Sequence, residues 1–359
     1  MMHRRKLLTW RNVLAASLVC ACIAEALSHS IEAAEFPESR SAPPAVQLAQ
    51  LPAAKSNNLK LDIPYNSISY NVAPLWMAVD GGFFKRYGID AKTEFFAQSP
   101  AIVASMLSGE SQFAMVGQDV VINAGLNGGD IVILASGPEK PPFSIYAAPS
   151  IHDVAGLRGK KIGVTQFGTT TDFIARYILK KAGLQPADVT IVPMGPAANV
   201  LAGLLGGLID AGVLGSDAVF RGKELASYKE IANMLDYDLL FYVSSLVAKK
   251  SWVVAHPDDT MNVVRGYLSG MATAATNKSE TVKVLRKYTH ATDTDGLEEA
   301  YRLLTKSLPR IPVPKSDALQ AGLNEMTRPG AKGADPARFI DPTFVNELQR
   351  DGFIDNLYR

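Results

Sequence analysis

The segment GVTQFGTTTDFIARYILKKAGL, residues 163–184, joins a short apolar run to a helical pattern. The run KKIGVTQ, which overlaps its start, predicts a strand, and apolar residues recur at helical spacing from Phe173 to Ile178. Gly183 predicts the end of that helix. The segment is therefore a strand, a turn and a helix, and three threonines occupy the turn at residues 169–171.

Short apolar runs alternate with helical patterns on both sides of this unit. Strand-like runs include LKLDIPY at residues 59–65 and IVILAS at 131–136, with helical patterns between them. Such alternation predicts an α/β protein with mostly parallel sheets. After residue 240 the alternation fades, and amphipathic patterns at 260–287 and 297–307 predict helices that buttress the fold.

An internal repeat accompanies this alternation. MLSGESQFAMVGQDVV, from Met106 to Val121, aligns with LLGGLIDAGVLGSDAV, from Leu204 to Val219, at a constant offset of 98 residues. Glycines at helix ends and apolar strands are common, so chance similarity between two βα units is the alternative. If the repeat is genuine, the chain contains two lobes built alike.

The first 34 residues have the pattern of a signal peptide. Basic residues from Arg4 to Arg11 precede an apolar run, residues 13–24, that is too short to span a bilayer. The prediction is export to the periplasm with residues 1–34 removed. A retained membrane anchor and a lipid anchor at Cys22 are the alternatives.

Residues 35–58 are rich in Pro, Ala, Ser and Gln, which predicts a flexible linker. The chain carries 36 basic and 35 acidic residues, so no excess of positive charge favours a nucleic-acid partner. Its two cysteines, Cys20 and Cys22, lie in the leader. The mature protein would then have no thiol for disulfides, metal binding or nucleophilic catalysis.

Two interpretations of the threonine turn stay open. Thr169 and Asp172 resemble a capping box, which would need only one of the hydroxyls. A helix start also offers free N–H groups and partial positive charge to an anion, and the additional hydroxyls add donors. The turn is therefore a candidate ligand site, with an ordinary helix cap as the alternative.

Three further turns follow predicted strands, where α/β proteins bind ligands. In two of them, at residues 117–119 and 215–217, a carboxylate either caps the next helix or faces a ligand. The third turn, YNSISYN at residues 65–71, offers hydroxyls. Including the threonines, the candidate ligand-binding residues in these turns are Ser67, Ser69, Tyr70, Gln118, Asp119, Thr169, Thr170, Thr171, Ser216 and Asp217.

Signals of catalysis and of metal binding are weak. No H-E-x-x-H, G-x-S-x-G or G-x-G-x-x-G pattern follows a predicted strand. His152, His256 and His290 are too scattered along the chain to indicate a metal site or a base beside a nucleophile. We therefore expect no enzyme activity, no metal and no cofactor.

Five segments together resemble the substrate-binding proteins of nitrate/sulfonate/taurine-type ABC transporters. They are APLWMAVDGGFFKRYGID, IVASMLSGESQFAMVG, LRGKKIGVTQFGTTTDFIARYILKKAGL, VLAGLLGGLIDAGVL and FVNELQRDGFIDNLY. The resemblance covers nearly everything from Leu59 to Arg359 and implies an α/β, type 2 periplasmic binding protein fold. Lobe 1 would comprise residues 59–146 and 246–359, and lobe 2 residues 147–245. Extended strands near 144–149 and 242–248 would connect them.

The resemblance also implies a function and partners. The ligand would lie in the cleft between the lobes, held by the turns named above and by Asn199, and would pass to an inner-membrane permease that a cytoplasmic ATPase powers. The ligand is expected to be a small organic or inorganic anion or zwitterion, such as a sulfonate, taurine or nitrate. The alternatives are an enzyme or binding protein of the same fold that acts on a pyrimidine or aromatic precursor, and a ligand-sensing partner of a receptor.

Overall fold

The computed structural model describes residues 58–326 and 328–359, apart from the side chains of Asp217, Lys223 and Glu325. The predicted leader, and the predicted linker except Asn58, lie outside the described residues. In the described part, no helix is long and apolar enough to cross a membrane.

The strands, in chain order, are β1 (Leu59–Tyr65), β2 (Ile89–Phe95), β3 (Phe113–Val116), β4 (Ile131–Ala135), β5 (Ser144–Ala147), β6 (Lys161–Val164), β7 (Thr190–Pro193), β8 (Ala211–Leu214), β9 (Lys229–Asn233) and β10 (Ser245–Lys249). The helices are α1 (Ala73–Asp80), α2 (Phe83–Arg86), α3 (Ser99–Ser108), α4 (Gln118–Leu126), α5 (Thr170–Lys181), α6 (Ala197–Leu205), α7 (Gly222–Leu225), α8 (Lys250–Ala255), α9 (Pro257–Thr276), α10 (Lys278–Thr289), α11 (Thr294–Ser307), α12 (Ser316–Glu325), α13 (Thr343–Arg350) and α14 (Phe353–Leu357). Short 3₁₀ helices include Tyr70–Val72, Ser216–Arg221 and Met234–Asp236.

The strands form two five-stranded sheets with the same connectivity. The first sheet has the order β2-β1-β3-β10-β4, and the second has the order β7-β6-β8-β5-β9. In each sheet the first three strands are parallel, and the fourth strand in the order runs antiparallel to its neighbours. We call residues 58–136 and 245–359 lobe 1, and residues 144–233 lobe 2.

Both faces of each sheet are covered by helices, as the alternation in the sequence predicts. One face of the lobe 1 sheet packs against a large core that includes α1 and α9, and the other face packs against α3, α4 and α12. In lobe 2, α5 covers one face and α6 the other. Because each helix follows a parallel strand, the turns that enter α4, α5 and α6 lie at the carboxyl edges of the strands.

The internal repeat in the sequence corresponds to equivalent elements. The first copy contains the end of α3, then β3 and the start of α4. The second copy contains the end of α6, then β8 and the 3₁₀ helix Ser216–Arg221. Because β3 and β8 occupy the same position in the order of their sheets, the repeat reflects a repeated topology and not a chance pattern of glycines.

The connections between the lobes differ from the sequence-based expectation. β5 begins at Ser144 and pairs with β8 and β9, so the first connection precedes it and spans 137–143. The second connection spans 234–244. Neither is an extended strand, because the first contains three prolines and the second begins with a 3₁₀ helix.

Adjacent residues in the second connection belong to different cores. The side chain of Phe241 packs in the lobe 2 core, where its ring stacks on Phe173 with centroids 4.7 Å apart. Tyr242 packs in the core that covers the α4 side of the lobe 1 sheet. The chain therefore passes from one lobe to the other between these two residues.

Candidate ligand-binding cavity

A cavity of about 590 Å³ lies between the two lobes. Lobe 1 contributes the turn after β1, one face of α3 and one face of α4, and lobe 2 contributes the turns after β6, β7 and β8. These turns follow the carboxyl ends of parallel strands, which is where α/β folds place their ligands. Thus the threonine turn and the turn at residues 117–119 open onto one shared space.

The threonine turn is held by hydrogen bonds within lobe 2. Thr169 occupies the N-cap position of α5, but its hydroxyl donates to the carbonyl oxygen of Gln166 at 2.7 Å and does not cap the helix. The hydroxyl of Thr171 accepts from the backbone N–H of Thr165 at 2.9 Å. Asp172 accepts from the N–H of Gly168 at 2.9 Å. All three bonds lie in the turn before the helix, so the carboxylate and the hydroxyls fix the turn, and the capping box that Thr169 and Asp172 resemble does not form.

Thr170 is oriented differently from its neighbours. It lines the cavity, and its hydroxyl and backbone N–H lie beside the Asp119 carboxyl of lobe 1, whose pKa they lower. Thr170 is the first residue of α5, so a lobe 1 carboxyl lies at the positive end of a lobe 2 helix.

Asp119 is the ionisable residue among the cavity-lining side chains that the structure describes. It lies in the first turn of α4 and is 8% exposed. Burial raises the pKa of its carboxyl above the ordinary value of 3.8, and the hydrogen bonds from Thr170 oppose that rise. Its Oδ1 has no hydrogen-bond partner in the described structure.

Gly117 permits this position of Asp119. A Cβ atom at residue 117 would lie 2.5 Å from Asp119 Oδ1 and 3.2 Å from the carbonyl oxygen of Val243. Any larger residue would therefore force the carboxyl out of its place. The glycine of the predicted G-Q-D turn is explained by this close approach.

Three further hydrogen bonds join the lobes around the cavity. Asn71 Nδ2 donates to Ser216 Oγ at 3.0 Å, and Asn123 Nδ2 donates to the carbonyl oxygen of Gly168 at 3.3 Å. At the exposed rim, Gln166 Nε2 donates to Gln98 Oε1 at 2.8 Å. The described conformation is therefore one in which the two lobes are in direct contact across the cavity.

The structure brings together six of the predicted site residues at the cavity wall. These are Ser67, Asp119, Thr169, Thr170, Thr171 and Ser216. The side chain of Asp217 lies outside what the structure describes. Asn71, Gln98 and Asn123 also line the cavity and were not predicted, although the amide-rich turn YNSISYN was a signal for the first of them.

Gln118 does not line the cavity, in contrast to the prediction. Its side chain is 0% exposed, and its Oε1 accepts from the Tyr242 N–H at 2.9 Å while its Nε2 donates to the Ala318 carbonyl at 2.9 Å. Its own N–H donates to the Tyr242 carbonyl oxygen at 2.8 Å. Gln118 therefore binds the connection between the lobes, and its polar groups are not available to a ligand.

Three other predicted residues also lie away from the cavity wall. Ser69 is buried and accepts a hydrogen bond from the Ser67 hydroxyl at 3.0 Å. Tyr70 is buried in the lobe 1 core, and this burial raises its pKa. Asn199 is exposed on α6, where its Nδ2 donates to the Met194 carbonyl at 3.0 Å. Polar side chains in turns at strand ends often stabilise the turn by bonding to nearby groups of the protein, and such residues need not contact a ligand.

Apolar groups complete the cavity wall. On the lobe 1 side, α3 contributes Pro100, Val103, Ala104 and Leu107. On the lobe 2 side, Phe167 is 58% exposed at the turn before α5. In the described residues, no group of three or more His, Cys, Asp or Glu side chains could hold a metal ion. The arrangement suits an organic molecule with a polar and an apolar part.

Known proteins share this fold. The nitrate-binding protein NrtA from Synechocystis PCC 6803 superimposes with a TM-score of 0.69 at 14% identity, over 85% of this chain and 92% of that chain. The alkanesulfonate-binding protein SsuA from Xanthomonas axonopodis pv. citri superimposes with a TM-score of 0.65 at 17% identity, over 82% of this chain and 99% of that chain. The fold is thus that of the periplasmic binding proteins, as the resemblance in the sequence implied.

Sequence comparisons identify the family. A binding protein of Brucella abortus is 25% identical over 240 residues, which are 66% of this chain and 73% of the relative. The family model described as NMT1/THI5 like matches residues 69–281, more than half of the chain. The protein therefore belongs to the NMT1/THI5-like family.

Proposed function

We propose that this protein is the extracytoplasmic solute-binding component of an ABC importer. It would capture a small solute between its lobes and deliver it to an inner-membrane permease that a cytoplasmic ATPase powers. The observation that carries the proposal is the single cavity lined by turns from both lobes. The similar structures, which include nitrate-binding and alkanesulfonate-binding proteins, support it.

The arrangement of contacts supports a mechanism of capture by lobe closure. Hydrogen bonds from Asn71, Asn123 and Gln166 cross the cavity, and these bonds form only when the lobes meet. A solute that contacts both lobes binds the closed form more tightly than the open form, so its binding shifts the population toward closure. The permease could then distinguish the loaded protein from the empty one by its shape.

A thermal-shift screen tests solute binding directly. The purified protein is screened with nitrate, alkanesulfonates, taurine, organic amines, pyrimidines and aromatic carboxylates. A solute at about 100 times its dissociation constant stabilises the fold by about 2.7 kcal/mol. The proposal expects stabilisation by at least one class and recovery of the bound solute chemically unchanged. Recovery of a chemically converted product would contradict the proposal and would indicate an enzyme with this fold.

Thr170→Val tests whether the cavity is the binding site. The variant removes a hydroxyl that lines the cavity and contacts Asp119, so we expect the affinity for any solute found in the screen to fall about three- to tenfold. The matched control is Thr190→Val on the exposed start of β7. Calorimetry that shows equal affinities for the two variants would place the binding site elsewhere.

A further inference from the structure

The cavity is too large for a compact inorganic anion to fill. Cavities of about 300–1,000 Å³ enclose drug-sized organic molecules, and this cavity of about 590 Å³ lies in that range. Much of its wall is apolar, with Val103, Ala104 and Leu107 of α3 opposite Phe167 of lobe 2. An apolar wall stabilises a ligand by removing its apolar surface from water. The solute should therefore have an apolar body.

The position that would attract an anionic head group is already occupied by the protein. The first residue of α5, Thr170, offers its N–H and its hydroxyl at the positive end of a helix. Both groups lie beside the Asp119 carboxyl and, with the N–H groups of Asp119 and Val120, oppose the rise in its pKa. An oxyanion at this helix start would have to displace that carboxyl or lie beside it, and like charges at close range repel.

Two acceptor oxygens of cavity-lining side chains have no partner. They are Oδ1 of Asp119 and Oδ1 of Asn71, on side chains that are 8% and 4% exposed. A buried acceptor without a donor costs about 1–3 kcal/mol, so a ligand that supplies a donor removes that cost. The Asn71 amide could rotate and present a donor instead. A carboxylate has acceptors only, so Asp119 decides the polarity of the ligand.

The charged residues near Asp119 do not change this conclusion. A neighbouring cavity of about 60 Å³ is lined by Asp119, Asp172, Arg176 and Arg328. Arg176 is paired with Asp172 at 2.8 Å, and Arg328 donates to the side-chain oxygens of Asn123 and Asn127. The two arginines therefore bond to other acceptors, and Asp119 Oδ1 remains without a donor.

We propose that the solute is an organic molecule with an N–H donor head, such as an amine, that bonds to Asp119 while its apolar body packs against α3. This inference rests on the proposed function and specifies its ligand class. It favours amines and zwitterions over nitrate and simple sulfonates. Asp119 lines the cavity, and the torsion about its Cβ–Cγ bond is soft, so its carboxyl can turn toward the ligand.

The test uses pairs of probes that share a carbon skeleton. Propylamine is compared with propanesulfonate, and 2-phenylethylamine with 2-phenylethanesulfonate, by calorimetry on the purified protein. We expect the amine of each pair to bind at least about tenfold more tightly, and the phenyl pair to bind more tightly than the propyl pair. Tighter binding of the sulfonates, or no binding of either amine, overturns the inference.

Asp119→Asn identifies the group responsible. Loss of the carboxylate should weaken amine binding about 30-fold or more and abolish the preference for amine over sulfonate. The matched control is Asp351→Asn at an exposed position outside the cavity, which should change neither quantity. Unchanged amine affinity in Asp119→Asn overturns the inference. A preference for sulfonates overturns only the ligand class, whereas failure of every solute in the thermal-shift screen overturns the proposed function as well.

Discussion

Of three neighbouring threonines, two bond within their own turn and one faces the other lobe. The hydroxyl of Thr169 bonds to the Gln166 carbonyl and that of Thr171 to the Thr165 N–H, whereas Thr170 lies beside Asp119 of lobe 1. The sequence predicted a helix start with excess hydroxyls, which the structure confirms. It could not predict which hydroxyl faces lobe 1, because that depends on how the two lobes pack.

Gln118 is another residue whose side-chain direction could not be predicted from the sequence. Its position directly after a strand predicted a ligand contact, yet its side chain is turned toward Tyr242 and Ala318. Consecutive residues at a helix start point in directions about 100° apart, and here Asp119 faces the cavity while Gln118 faces the connection between the lobes. The sequence alone does not say which of the two faces the cavity.

Gln118→Leu should destabilise the protein. The change leaves the Tyr242 N–H and the Ala318 carbonyl oxygen buried without their partner, at an expected cost of about 2–4 kcal/mol in the free energy of unfolding. Urea unfolding at neutral pH measures this. As a control, Gln185→Leu alters a glutamine at an exposed position. Equal stability of the two variants would contradict the role assigned to Gln118.

At the scale of elements, the repeated unit was predictable and the connections were not. Strands such as LKLDIPY have a strong local pattern, and β1 covers the predicted residues 59–65. The unit that repeats at an offset of 98 residues forms equivalent parts of the two sheets. β5 is only four residues long, and its sheet is fixed by pairing with β8 and β9, which are distant in sequence. The family resemblance therefore placed the first connection several residues too late, and no local pattern could correct it.

The two connections touch at Gly137. A Cβ atom at this residue would lie 1.7 Å from the carbonyl oxygen of Ser244, so only glycine permits the approach. We expect Gly137→Ala to lower the free energy of unfolding by about 3 kcal/mol or more, because two backbones must separate. Gly222→Ala is the control, since its Cβ would meet nothing within 4 Å. If chemical unfolding showed similar stabilities for both variants, the connections would not be in contact.

At the scale of the whole molecule, the lobes meet through apolar as well as polar contacts. Val219 and Phe220, in the 3₁₀ helix Ser216–Arg221 of lobe 2, pack against the lobe 1 core. This helix also lies against α11, where the carbonyl oxygen of Val219 is close to Gly296. The terminal helices were predicted as buttresses of one lobe, and the structure confirms that role for α9 and α10 while α11 also contacts the second lobe.

Protonation of Asp119 should affect the stability of the whole protein. Because burial raises its folded pKa above 3.8, the folded state binds more protons than the unfolded state between 3.8 and the raised value. The free energy of unfolding therefore falls as pH rises through that window. Asp172, Arg176 and Arg328 face the same region, so the comparison must use a variant that leaves them in place.

The variant Asp119→Asn isolates this effect. As pH rises from 3.8 through the raised pKa of Asp119, wild type should lose stability relative to the variant, by about 1.4 kcal/mol for each unit by which that pKa is raised. Below pH 3.8 the difference between the two proteins should stay constant. Urea unfolding at several pH values measures it. A constant difference across the whole range would mean that the Asp119 pKa is the same in the folded and unfolded states.

The hydrogen bond between Gln98 and Gln166 lies where the cavity meets solvent. While the bond is intact, it holds the two lobes together at this side of the cavity. If a solute enters and leaves on this side, the bond must break first. Above some solute concentration, the rate of binding would then stop increasing, because it would equal the rate at which the bond breaks. Separation of the lobes at this bond, rather than diffusion of the solute to the protein surface, would limit the rates of solute binding and release.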